Sequence, residues 1–181
     1  MDVIDEHLGW VLVLVQVPSQ PSRHRVAVWR ELRRTGAVPL SPGTWIVPAH
    51  PAFEEGLERA RVLVARGSGA WTAVDASPRG DGAVTFREAF VAARTEEWAE
   101  FMADCGKFEQ EIAKEISRKK FTFAELEEEE QSLERLRRWY RELKSRDVLH
   151  LAQAQAAAEH LARCAEVLEE YAAEVYDATL L

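Results

Sequence analysis

Gly9-Trp-Val-Leu-Val-Leu-Val-Gln-Val17, closed by Pro18-Ser-Gln-Pro-Ser22 and continued by Arg23-His-Arg-Val-Ala-Val-Trp-Arg-Glu-Leu-Arg-Arg-Thr35, is the stretch from which the rest of the fold is read. Its first part is an unbroken, β-branched apolar run, which predicts a central strand buried on both faces. Proline cannot donate to a strand ladder, so Pro18 ends the run and the residues up to Pro21 turn the chain. Ser22 is placed to cap a helix that reaches Thr35 and stops at Gly36, with Val28, Trp29 and Leu32 as its inward stripe.

Working outward, Ala37 to Leu40, the turn Ser41-Pro-Gly43 and Thr44 to Val47 read as a hairpin. A second helix spans Pro51 to Arg66, Gly67-Ser-Gly69 breaks it, and Ala70 to Asp75 supplies a last strand. The order βαββαβ predicts the split βαβ, or ferredoxin-like, arrangement: an antiparallel sheet with both helices on one face. Ser77 to Gly82 reads as a linker, which divides the chain into residues 1–82, a ferredoxin-like α/β domain, and residues 83–181. Beyond it Trp98, Phe101, Cys105, Phe108, Ile112 and Ile116 recur at helical spacing. Thr122 and Glu125 form a capping box that opens a helix with Leu126, Leu133, Leu136, Tyr140 and Leu143 on one side. A last helix carries Ala154, Ala158, Leu161, Ala165, Leu168, Ala172 and Val175. The expected fold class is α+β: the ferredoxin-like domain followed by an all-α antiparallel bundle of about three long helices.

The chain has 181 residues, 47% of them apolar, and no run approaches the length of a membrane span. The acidic start Met1-Asp-Val-Ile-Asp-Glu6 does not read as a secretory signal, so a cytoplasmic protein is expected. Cys105 and Cys164, far apart in sequence, fit small buried hydrophobes better than a disulfide framework or a zinc site. The net charge of −8 is unevenly placed: residues 1–82 carry nine arginines against nine acids, and residues 83–181 hold all the excess acidity.

The chemistry-bearing feature is the first helix. Arg23, Arg25, Arg30, Arg33 and Arg34 fall within twelve residues, and Arg23, Arg30 and Arg34 share a face opposite Val28 and Leu32. Such a face suits phosphates or another anion, and Ser22 and His24 stand at the helix start, where free N–H groups favour an oxyanion. Solvation with Glu31 as a local counterion is the plainer alternative. A secondary basic patch is formed by Arg118, Lys119 and Lys120 at a hairpin tip and by Arg137, Arg138 and Arg141 along the next helix. Helix-dipole complementarity accounts for much of that patch.

Catalysis has little to stand on: His7, His24, His50, His150 and His160 are scattered without metal-ligand spacing. Glu97, Glu100, Glu109 and Glu111 lack the Glu-x-x-His motif of a di-iron site. No Gly-rich phosphate loop, nucleophile elbow or helix-turn-helix signature is present, so neither an enzyme nor a metal or organic cofactor is expected.

The strand, Pro-containing turn and arginine-bearing helix resemble the sheet domain of PaaX-type regulators and of the CRISPR-associated integration subunit. Nuclease members of the latter group carry an Asp at the strand's end, where this chain has Gln16, a poor ligand for a hard cation. A longer resemblance rests on Pro21-Ser-Arg-His-Arg-Val-Ala-Val-Trp-Arg30, Gly36-Ala-Val38, Gly43-Thr-Trp-Ile-Val-Pro48, Lys120-Phe-Thr-Phe-Ala-Glu-Leu-Glu127, Leu136-Arg-Arg-Trp139 and Arg163-Cys164. In these the chain resembles the N-terminal region of ChrB, the chromate-resistance regulator, whose members often carry a further C-terminal domain. The resemblance implies a cytoplasmic, chromate-responsive transcriptional regulator, a homodimer binding operator DNA. Chromate, or sulfate of the same charge and shape, is then the expected small ligand. A non-catalytic protein–protein interaction module is the alternative.

Overall fold

Strand β1 (Trp10–Gln16) leads into helix α1 (Ser22–Thr35), strands β2 (Val38–Ser41) and β3 (Thr44–Pro48), helix α2 (Pro51–Arg66) and strand β4 (Ala70–Ala76). These elements come from a computed structural model that describes residues 9–180; the readings placed on Met1–Glu6 and His7 lie outside it. Three long helices follow: α3 (Gly82–Ser117), α4 (Phe123–Arg146) and α5 (Ala152–Leu180). The chain is thus α+β, a four-stranded antiparallel sheet followed by helices, among the described residues.

β1 pairs antiparallel with both β3 and β4, Val13 lying opposite Trp45 and Ala73, and β2 pairs with β3. The sheet order is β2-β3-β1-β4, so the apolar run is a central strand, as its composition predicts. It is not buried on both faces. Val13 is fully buried, whereas Leu14 is 41% exposed, because an antiparallel sheet can leave part of one face to water.

The start and rotation of α1 also depart from expectation. Pro21 occupies the N-cap and Ser22 is the first helical residue, with no side-chain cap bond. The buried stripe is Val28, Glu31, Leu32 and Thr35, and Trp29 is 54% exposed. The cause lies on α2. A Cβ on Gly56 would fall 2.3 Å from Thr35 Oγ1, so the helices cross closely there, and the contact faces Thr35 and Glu31 inward and Trp29 out.

Contacts divide the chain into two compact units, one through Ala93 and one from Arg94. In the first, Phe90 of α3 packs edge-on against Trp10 and Phe53, with ring centroids 6.1 Å apart in each case. In the second, Trp98, Phe101, Cys105, Phe108 and Ile112 are buried with Leu126, Leu133, Leu136 and Leu143 of α4. Ile116, one residue before α3 ends, is instead 39% exposed. Thr122 caps α4 by accepting from Glu125 N at 3.3 Å.

On α5 the buried stripe is Ala154, Ala157, Cys164, Leu168, Tyr171 and Val175; Ala158, Ala165 and Ala172, expected inside, sit half-buried at its margin. The expected setting alternates steps of four and three, whereas the observed one brings in Cys164 and Tyr171. Tyr171 tolerates burial because its hydroxyl donates to the Lys120 carbonyl at 2.6 Å.

Candidate functional site

Helix α1 carries no acidic residue in its first turn and ends on Arg33 and Arg34, which complement the negative end of the helix dipole. Arg23, Arg25 and Arg30 are exposed, and among the described residues no hydrogen bond or ion pair joins their side chains to a partner. Arg34 behaves differently. Its Nη2 lies 2.8 Å from Glu31, which also takes Arg59 Nε of α2 at 2.7 Å. Burial pushes the Glu31 carboxyl up, but the hydrogen bonds and charges of Arg59 and Arg34 outweigh it and hold the group below the usual carboxylate value. The three-arginine face is therefore unevenly equipped: Arg23 and Arg30 are open to an outside anion, and Arg34 is engaged with a carboxylate inside the protein.

A second stripe runs beside that face. Arg25, Trp29 and Arg33 follow at intervals of four and so line up along one side of the helix. The Arg33 guanidinium sits 6.0 Å from the centre of the Trp29 ring. Arg25 and Trp29 face a cavity of about 770 Å³ whose other walls are Gln16 to Pro18 at the end of β1, Gly43 in the hairpin turn and Ser68 to Ala70. An exposed indole flanked by guanidinium groups can stack on a planar group while pairing with an anion beside it. Sequence reasoning assigned Trp29 to the core because a large aromatic at i+1 from Val28 fits an apolar stripe. The signal it lacked was the Gly56–Thr35 crossing, which fixes the rotation of α1.

The remaining predicted positions divide. Ser22 is exposed at the uncapped helix start beside Arg23. His24, between Arg23 and Arg25, is half-buried against α2's end, where a Cβ on Gly67 would meet its Cβ at 2.9 Å. His50 caps α2, its Nδ1 accepting from Ala52 N at 3.1 Å. Gln16 closes β1, and among the described residues no group of three or more His, Cys, Asp or Glu side chains is arranged to hold a metal ion.

Half of the secondary patch is paired where it stands. Lys120 pairs with Glu115 at 3.1 Å and Glu125 at 3.3 Å, and Arg141 pairs with Glu134 at 3.0 Å, with Arg137 at 4.0 Å from the same carboxylate. Arg118, Lys119 and Arg138 are exposed. Glu97, Glu109 and Glu111, three of the four acids without the di-iron motif, have basic partners. Glu97 joins Arg94 at 2.8 Å and Arg146 at 3.1 Å, and Glu109 meets His160 at 3.1 Å.

Among the described residues no helix is long and apolar enough to cross a membrane. The family model for Protein ChrB, N-terminal, matches residues 25–180, which takes in most of α1, the sheet and all three long helices. No curated protein matches the chain.

Proposed function

The chain belongs to the ChrB N-terminal family, which ties it to chromate resistance, and from that premise we propose that it is a transcriptional regulator engaging operator DNA through α1. The observation that carries the reading is the open set of Arg23, Arg25 and Arg30 beside the half-exposed Trp29. Guanidinium groups with no internal carboxylate are free to replace the counterions of a phosphate backbone, and the indole adds a planar contact. The βαββαβ order with sheet order β2-β3-β1-β4 supports reading the first unit as ferredoxin-like, and the packing of α3, α4 and α5 round one core supports the bundle reading. On this proposal the protein is cytoplasmic and non-enzymatic. It binds DNA as a homodimer, since paired half-sites match two-fold symmetry.

Titrating the upstream DNA of its own operon by fluorescence anisotropy tests this. Affinity should fall with salt with a log–log slope of about −5 if three arginines of each protomer displace counterions. The double substitution Arg23→Glu, Arg30→Glu should weaken binding by at least about tenfold. A flat salt response, or an unchanged affinity after charge reversal, would sink the proposal. Chromate tolerance left intact by the same double variant would favour the interaction-module alternative.

A second reading is favoured by the start of α1, where the first turn has no side-chain cap and no acid and where Ser22, Arg23 and Arg25 stand together. There a tetrahedral oxyanion, chromate being the relevant one, would accept from backbone N–H groups and guanidinium groups. Calorimetry with chromate and with sulfate separates an effector site from a general anion site, since equal weak heats for both oppose it.

A further inference from the structure

Within the core of the second unit α3 and α5 bring Cys105 and Cys164 together. The two were expected to lie apart as inert hydrophobes; both are fully buried, but they are neighbours. Neither is in a disulfide. The Cys164 thiol donates to the Cys105 carbonyl, with Sγ 3.6 Å from the oxygen. A carboxylate reaches the pair: Glu109, one turn along from Cys105, has Oε1 3.9 Å from Cys164 Sγ. That oxygen is held by His160 Nε2 at 3.1 Å, with Arg163 Nε at 4.0 Å. Glu109 is 31% exposed, so the thiols lie one side chain beneath water.

Two small apolar residues would fill this space without needing a carboxylate, an imidazole and a guanidinium at its edge. The arrangement also distinguishes the sulfurs. The neighbouring Cys164 thiol holds the Cys105 thiol below its ordinary range against burial and the charges of Glu109 and Asp104. Cys105 beside it, with burial, pushes Cys164 up.

We propose that Cys105 and Cys164 form an oxidisable dithiol, which a small hydroperoxide closes into a disulfide joining α3 to α5. The Cys105 thiolate attacks the terminal peroxide oxygen, the O–O bond breaks, and sulfenic acid forms as hydroxide leaves with hydrogen peroxide as oxidant. Cys164 then gives its proton to Glu109 and attacks the Cys105 sulfur. The S–O bond breaks and the leaving hydroxide takes up a proton as water. In sum two thiols lose two electrons and two protons, and one peroxide becomes two waters. His160 and Arg163 act as positioning residues for Glu109. This chemistry is independent of DNA or oxyanion binding at α1.

The full reduced chain is exposed to hydrogen peroxide, denatured in an alkylating reagent and weighed intact. The expected product has lost two hydrogens and both alkylation sites, yields a Cys105–Cys164 cross-linked peptide, stays monomeric on a non-reducing gel, and reverts with dithiothreitol. Cys164→Ser should stop at the sulfenic acid of Cys105, trapped by dimedone. Glu109→Gln should slow closure by at least about tenfold without preventing the first oxidation. Two alkylatable thiols remaining in the treated wild-type chain, or a bridge between chains, would overturn the proposal, and that measurement requires no variant to fold.

Discussion

Two sets of arginines in this molecule have opposite surroundings. In the second unit Arg94 and Arg146 share Glu97, and Arg137 and Arg141 share Glu134. On α1, by contrast, Glu31 is the one acid of the helix, and it is already taken by Arg34 and Arg59. Arg23, Arg25 and Arg30 are left facing water. Those second-unit arginines thus have carboxylates beside them, and these three α1 arginines do not. Local supply of carboxylates, more than net charge, decides where an anion can be held.

The sharpest way to test that contrast is to remove a carboxylate that serves the buried set. Arg94 is 2% and Glu97 14% exposed at the side chain, so Glu97→Ala removes an enclosed carboxylate that two guanidinium groups share. It should destabilise the second unit by about 3–5 kcal/mol in chemical denaturation. Arg30→Ala should stay within about 0.5 kcal/mol of the parent. Similar losses for both would erase the distinction.

Next in size is the crossing that sets the rotation of α1. Glycine to alanine within a helix ordinarily stabilises by about 1 kcal/mol. At Gly56 the added methyl would meet Thr35 Oγ1, a hydroxyl already held by its bond to the Glu31 carbonyl at 2.8 Å. Gly56→Ala should therefore destabilise, by about 1–3 kcal/mol, and shift Trp29 fluorescence as the helices part. A stabilised variant with unchanged emission would show that the contact does not orient α1.

A smaller effect compares the two basic surfaces directly. Arg137→Glu with Arg141→Glu should weaken operator binding by less than about threefold, against at least about tenfold for the α1 pair, because those arginines bring their own carboxylate with them. Equal losses would move the DNA surface to the second unit.

Much of this layout was legible in the residues. The bounds of α1 and α2, the hairpin, the central place of β1 and the capping role of Thr122 follow from apolar period, glycines, prolines and one threonine. What was hidden depends on partners distant in sequence. Trp29 faces out because of Gly56, and α5 turns Cys164 and Tyr171 inward because the carbonyls of Cys105 and Lys120 accept from them. The division of the arginines into paired and open was half legible: Glu31 as a counterion is visible three residues from Arg34, whereas Arg59 comes from another helix.

The smallest expected effect sets one buried carboxylate of each unit against the other. Glu31 is ionised between two arginines, and its folded value lies below the ordinary 4.5. It therefore contributes stability that is full above 4.5 and is lost as pH falls through the lowered value. Glu129, buried on α4, is pushed above 4.5 by that burial and by the charges of Glu111, Glu128, Glu115 and Glu125. Its contribution has the opposite sign, being full below 4.5 and lost as pH rises through the raised value. Near neutral pH Glu31→Gln should weaken the sheet unit and Glu129→Gln should strengthen the helical unit, each by less than about 1 kcal/mol. The Glu31 difference should vanish once the pH lies below its lowered folded value, and the Glu129 difference once the pH lies below 4.5. Hydrogen exchange resolved by peptide reads the two units separately. Changes of the same sign at neutral pH would mean that the units do not differ in how they treat an enclosed carboxylate, and the contrast would then be confined to their surfaces.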